Sequence, residues 1–273
     1  DVEVQDGKSK ATLAEKASSE ELFFTEETSY KFWGIYPASA GSGEDLVEAK
    51  ASFEISNAQA PSGDPTTMTS GEKTLTILPV DMTQAVMLAA AENQTAQNVE
   101  LEFYPGFTAF EFTLNAADTE LILKELVLSP ANTDKSLAGE VAVNTIQTGG
   151  ATFSNTANYT ITYPESKKTT YTFPDNTIIS ETEYVTFTVF AVPEKIEGPT
   201  LEFHMGEDGS EIQTATLKQR VNGEKQDITF TGGKKHCLRG IAVKGVWEFT
   251  YLTLDIKPLG WEPVQSDISS GDG

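Results

Sequence analysis

The chain has 273 residues, 38% of them hydrophobic and 10% aromatic, which is enough for one large or two ordinary domains with a real core and excludes wholesale disorder. Its 19 Lys and Arg against 41 Asp and Glu leave a net charge of −22, which argues against nucleic-acid partners and anionic membrane surfaces and favours a well-solvated exterior. Cys237 is the single cysteine, so no intrachain disulfide can form, and no run of about 18 apolar residues offers a transmembrane segment.

The chain starts at Asp1 without a Met or a signal peptide, so it reads as a mature or trimmed chain. Residues 1–21 are polar and charged, suiting a flexible arm or an added edge strand. From Leu22 onward, short runs rich in Thr, Val, Ile, Phe and Tyr alternate with Gly, Pro, Asn, Asp and Ser clusters, which is the signature of strands. SYKFWGIYP (29–37) alternates with Tyr30, Phe32 and Ile35 or Tyr36 as inward positions. ASFEIS (51–56) and KTLTILP (73–79) alternate as well, broken by APSGDP (60–65). TQAVMLAAAEN (83–93) has helical propensity but sits between strands, so periodicity leaves it open. VELEFYP (99–105), through Val99, Leu101 and Phe103, then FTAFEFTL (107–114) and ELVLSP (125–130) complete the first half.

The second half repeats the texture in GEVAVNT (139–145), NYTITYP (158–164), TTYTFP (169–174) and EYVTFTVFAVP (183–193). TLEFHMG (200–206) and TATLKQ (214–219) flank EDGS (207–210), as a hairpin would. DITF (227–230), HCLRGIAVKG (236–245) and WEFTYLTLDIKPLGWE (247–262) close the series. About seven strands before residue 135 and seven or eight after it predict an all-β chain of two sandwiches in tandem. The expected division is an arm over 1–21, sandwiches over 22–135 and 136–262, and a flexible tail over 263–273, with a single large barrel as the alternative.

Catalytic chemistry has little to work with. His204 lies mid-strand, and His236 precedes Cys237; adjacent strand residues point to opposite faces, so the latter two make a poor dyad. The expectation is a surface histidine beside a buried structural thiol. Two histidines and one cysteine barely supply a zinc site, and no nucleotide-binding, hydrolase or metalloprotease motif occurs. We therefore expect no cofactor, no metal site and no catalytic residue. GEDGSE (206–211) lacks calcium-loop spacing and reads as a turn. NQT (93–95) and NYT (158–160) match a glycosylation sequon short enough to arise by chance. Trp33 and Trp247 belong to apolar strands and read as core or rim; Trp261, after Leu259-Gly260, is the candidate exposed aromatic for stacking on a sugar.

The ordered set of segments resembles the fimbrillin-like proteins of Bacteroidales, the pilus subunits and cell adhesion proteins of the Mfa/FimA type. KFWGIYP (31–37) is similar to the family's first domain strand, and TQAVMLAAAENQTAQN (83–98) to the strand and loop leading into VELEFYPGFTAFEFTL (99–114), where Tyr104-Pro105 stands in place of a common His. LKELVLSPANTDKSLAGEV (123–141), TVFAVPEKIEGPTLEF (188–203) and the closing FTGGKKHCLRGIAVKGVWEFTYLTLDIKPLGWE (230–262) continue the likeness over residues 29–262. The resemblance implies two transthyretin-like Greek-key sandwiches, lipoprotein export to the cell surface, and partnership with other fimbrial subunits by donor-strand insertion, with a host or bacterial surface ligand as a further partner. Family shaft subunits are often cleaved after an N-terminal Arg, but the arginines here are Arg220 and Arg239, and PVQSDIS (263–269) alternates weakly for a donor strand. These departures point to a tip or accessory subunit rather than a shaft subunit. The alternatives are a surface glycan-binding lipoprotein using Trp261, and a hydrolase built on paired carboxylates in a deep cleft.

Overall fold

A computed structural model describes residues 2–5, 8–11, 29–37, 40, 48–94, 101–221, 224–244 and 246–255. The regular elements of the described residues are β-strands apart from short 3₁₀ turns such as Met82–Gln84. In chain order the strands are β1 (Val2–Gln5), β2 (Lys8–Ala11), β3 (Tyr30–Tyr36), β4 (Ala51–Ile55), β5 (Ala58–Gln59) and β6 (Thr66–Ser70). There follow β7 (Lys73–Ile77), β8 (Met87–Gln94), β9 (Phe103–Pro105), β10 (Thr108–Ala116), β11 (Leu121–Ser129) and β12 (Gly139–Val143). Next come β13 (Tyr159–Thr162), β14 (Thr169–Ile179), β15 (Glu183–Ala191), β16 (Ile196–Glu197), β17 (Thr200–Met205) and β18 (Glu211–Thr216). The last are β19 (Lys218–Val221), β20 (Glu224–Asp227), β21 (Thr229–Phe230), β22 (Lys234–Val243) and β23 (Val246–Asp255).

Two large sheets carry the body, a six-stranded one in the order β23-β22-β10-β15-β7-β6 and a five-stranded one in the order β18-β17-β11-β14-β5. Strand alternation decides what lies between them. Phe110, Phe112 and Leu114 of β10 and Val185, Phe187 and Val189 of β15 face one core with Leu126 and Leu128 of β11, Tyr171 and Phe173 of β14, and Leu201 and Phe203 of β17. Phe187 is the centre of this layer: it stacks on Phe112 with centroids 5.2 Å apart and meets Tyr171 at 4.7 Å and Phe173 at 4.8 Å. A smaller core forms where two three-stranded sheets, β13-β12-β4 and β3-β8-β9, bring Phe53, Ile55, Leu88 and Val141 onto Phe107, Ala109, Phe190 and Val192. Neighbouring residues of β10 and β15 thus serve both cores: Phe110 and Val189 belong to the large one, Ala109 and Phe190 to the small one.

The boundary expected near residue 135 is not a boundary between sheets. β10 pairs antiparallel with β15 and parallel with β22, and β11 pairs with both β14 and β17, so each large sheet takes strands from both sides of that point. Likewise, β4 pairs with β12 in the small unit. The reason is that alternation specifies which face a residue takes but not which strand it pairs with. In the arm, β1 and β2 pair with each other as a separate two-stranded sheet. Of the alternatives Ile35 and Tyr36, Ile35 is the inward one: it packs on the small core with Trp33, two residues away on the same face of β3, while Tyr36 is 50% exposed. The first part of TQAVMLAAAEN turns at Met82–Gln84 and the rest becomes β8, paired with β3 and β9. Val99, Trp261 and the tail over 263–273 lie outside the described residues.

Candidate functional site

The histidine and thiol of β22 fall on opposite faces, as adjacent strand residues must, but with the roles reversed from expectation. His236 is 1% exposed, stacked on Phe110 at 5.5 Å and edge-on to Phe230 at 4.8 Å, and its Nε2–H donates to the Thr231 carbonyl at 2.9 Å. Burial pushes its pKa below the usual histidine value, with the nearby Lys234 charge acting in the same direction. Cys237 is half-buried on the outer face, where its thiol donates to Glu111 Oε1 at 3.5 Å. Glu111 Oε2 accepts from Lys235 Nζ at 2.6 Å. Burial, followed by the Glu111 carboxylate, raises the Cys237 thiol to about 11, so the thiolate needed for nucleophilic work is scarce at neutral pH. The parity of β22 explains the reversal, because His236, Leu238, Gly240 and Ala242 take the core face and Lys235, Cys237 and Arg239 the other.

His204, on β17, donates through Nε2 to Glu202 Oε1 at 2.8 Å, two residues away on the same face. Among the described residues no three His, Cys, Asp or Glu side chains gather as metal ligands. The turn Gly206–Ser210 closes the β17–β18 hairpin as expected, with Gly206 and Gly209 at positive φ. Trp247 is 7% exposed and stacked on Phe203 at 4.1 Å, and Trp33 packs on the small core, so neither forms an exposed platform. Asn158, of the second sequon, is buried, with its Nδ2 donating to the Thr145 and Thr152 carbonyls at 2.8 Å each; that amide is committed to the fold.

Among the described residues two further surfaces stand out. The first is a hollow of about 540 Å³ beside β4, β12 and β13, where Glu54 and Glu140 face each other across the strands. Ser52 Oγ donates to Glu140 Oε1 at 3.3 Å, while the Tyr163 hydroxyl is taken by Glu194 Oε1 at 2.5 Å. The second is the set of strands that end the sheets: β6 and β23 on the larger, β18 and the two-residue β5 on its partner. An edge strand presents a row of N–H and C=O groups to any chain that can lie alongside it. β6 is exposed at all five of its residues and carries no charged side chain, and Met68 at its centre is 58% exposed. TTMTS lacks the apolar alternation that marks half-buried strands, so its sequence does not announce this strand.

No protein-family model and no curated protein matches the chain. Among solved structures, a candidate cell adhesion protein from Bacteroides uniformis is 13% identical, with 88% of this chain and 78% of that one covered and a TM-score of 0.51. A candidate cell adhesion protein from Bacteroides ovatus is 12% identical over 90% of this chain and 75% of that one, with a TM-score of 0.49. A fimbrial protein from Bacteroides vulgatus is 10% identical over 82% and 76%, with a TM-score of 0.34. At 13% identity the likeness to the Bacteroides uniformis protein is one of fold, and the chain adopts that all-β fold.

Proposed function

We propose that this chain is a fimbrillin-like subunit of the bacterial cell surface, working as a tip or accessory component that joins other fimbrial subunits by β-strand addition. The observation that carries the reading is the fold shared with the candidate cell adhesion protein of Bacteroides uniformis. Three further features support it. The ordered segments over residues 29–262 resemble the fimbrillin-like family, the large sheets end in strands such as β6 that have no further strand beside them among the described residues, and the two histidines and the thiol are engaged in packing or hydrogen bonds rather than poised for chemistry. In this reading the chain is not an enzyme, is exported as an outer-membrane lipoprotein precursor, and recognises a host or bacterial surface ligand.

Immunogold labelling of intact producing cells tests the proposal. Label should sit on surface fimbriae, and mechanical shearing should release the chain with them. Recovery of the chain only from the soluble contents of broken cells would remove the reading. Label spread evenly along whole filaments would keep the fimbrial role but make this a shaft subunit.

A further inference from the structure

The edge strand β6 has a property that the fimbrial reading does not use. Its hairpin with β7 turns through Gly71-Glu72, with Gly71 at φ +63° and Ser70 opposite Lys73 as the closing pair. In a two-residue hairpin the closing pair exchanges both hydrogen bonds, and the bonded pairs then alternate along the ladder. Ser70, Met68 and Thr66 therefore bond to β7. The other side of β7 agrees with this parity, since Thr74 N–H donates to Thr182 and Leu78 N–H to Thr186, both at 2.8 Å, towards β15. Thr67 and Thr69 consequently direct their N–H and C=O groups away from the sheet, and β6 is its last strand among the described residues.

The chemistry of the strand is nearly the same read in either direction: Thr-Thr-Met-Thr-Ser has two hydroxyl residues on each side of Met68. We infer that β6 pairs antiparallel with β6 of a second copy of this chain, about a two-fold axis at Met68, extending the six-stranded sheet across a dimer. In that register Thr67 meets Thr69 of the other copy and Thr69 meets its Thr67, so that the outward groups of both strands are matched in four backbone hydrogen bonds. Thr66 lies opposite Ser70, and the two Met68 side chains face each other. A two-fold contact needs a self-complementary patch, and β6 is one. Threonine pairs across strands are favourable, and the methionines bury apolar surface that is otherwise in water.

Charge selects this occupant and limits the strength of the contact. Each copy carries −22, so two copies repel, and they can approach most closely where the surface is neutral, as it is along β6. Asp64 and Glu72, both exposed, flank β6 at its two ends, and the antiparallel register brings the one end of each copy near the other end of its mate, so the contact must tighten as salt screens the carboxylates. One strand pair is a small interface, which places the dimer among weak, concentration-dependent associations with Kd on the order of 10–100 µM. Self-pairing requires only this strand, so it stands or falls separately from the fimbrial role.

Sedimentation equilibrium of the full chain tests it. The mean mass should rise from 29.6 kDa towards twice that value with concentration, and the dissociation constant should fall several-fold between about 0.05 and 0.5 M NaCl. Thr67→Pro removes an outward N–H without touching the β7 ladder, and Met68→Lys sets two ammonium groups face to face; each should weaken the dimer at least about 10-fold with unchanged circular dichroism. Met68→Cys in a Cys237→Ser background should form an interchain disulfide on mild oxidation. A mean mass fixed at the monomer up to about 1 mM, or a dimer indifferent to both Thr67→Pro and Met68→Lys, overturns the inference. Loss of the dimer in those two variants, with no cross-linking in the Met68→Cys variant, would place the axis elsewhere and overturn the register.

Discussion

Burial makes His236 a titratable weak point in the large core. Its imidazole lies between Phe110 and Phe230 and donates to the Thr231 carbonyl, so the neutral ring is what the fold accommodates. The folded-state pKa is lowered, while the unfolded chain keeps about 6.5. Between those values the unfolded state binds more protons, so stability is fully present above about pH 6.5 and is lost as pH falls towards the folded-state value. Urea unfolding between about pH 5.5 and 8 should show the midpoint dropping on the acid side. His236→Phe keeps the ring packing, loses the bond to Thr231 at a cost of about 1 kcal/mol at pH 8, and should flatten this pH dependence. An unchanged slope in that variant would assign the pH dependence to other groups. Gly240, four residues along on the same core face, makes the complementary point about space. A Cβ there would stand 2.5 Å from Phe249 Cε1 and 2.8 Å from Leu114 Cδ2. Gly240→Ala must displace the Phe249 ring of β23 and the Leu114 methyl of β10, and should cost about 1–3 kcal/mol by chemical denaturation although alanine suits a strand better than glycine.

Among the elements, the junction between the two large sheets depends on a side chain standing in for a strand. β7 runs beside β15 only as far as Ile77 opposite Thr186. Further along β15, Gln59 of β5 takes over the pairing: its Nε2 donates to the Phe190 carbonyl at 2.9 Å and its Oε1 accepts from the Phe190 N–H at 2.9 Å. The same Nε2 donates to the Ser56 carbonyl at 2.9 Å, and the residue is 5% exposed. One amide thus ties β5, in the five-stranded sheet, to β15 in the six-stranded sheet, where Phe190 enters the small core. Gln59→Leu is nearly the right size but leaves the buried Phe190 N–H and C=O without these partners, and should cost about 2–4 kcal/mol. Gln59→Glu keeps an acceptor for the N–H but sets a carboxylate against two carbonyl oxygens, so it should be no better at neutral pH and should recover in part as the carboxyl protonates. Equal stability of the glutamine, leucine and glutamate forms in urea melts would show that the junction is held by packing alone.

At the scale of the whole molecule, much of the fold could be read from alternation. Ala51, Phe53 and Ile55 are buried as ASFEIS indicates, and the β17–β18 hairpin closes where Glu207–Ser210 suggests. Gln59 was not legible, because nothing in Asn-Ala-Gln-Ala-Pro marks a glutamine as the partner of a strand about 130 residues away. Nor was the open edge at β6, since an exposed strand has no buried face to impose a period. The division of the chain was the larger loss. Both halves have the same texture, and the parallel pairing of β10 with β22 or the antiparallel pairing of β10 with β15 leaves no local trace. This pairing has a consequence that fragments can test. A fragment over 22–135 would keep β10 but lose β15 and β22 from its flanks, exposing Phe110, Phe112 and Leu114. A fragment over 136–262 would keep β14 and β17 but lose β11, which lies between them and fills the core with Leu126 and Leu128. Neither can bury its own apolar face, so each alone should bind a hydrophobic dye and unfold without a cooperative transition, while the full chain melts cooperatively. Mixing or co-expressing the two should restore cooperative unfolding, since the missing strands are then supplied in trans. A fragment that folds cooperatively by itself would return the chain to the two-sandwich division and break the pairing of β10 with β15 and β22 described above.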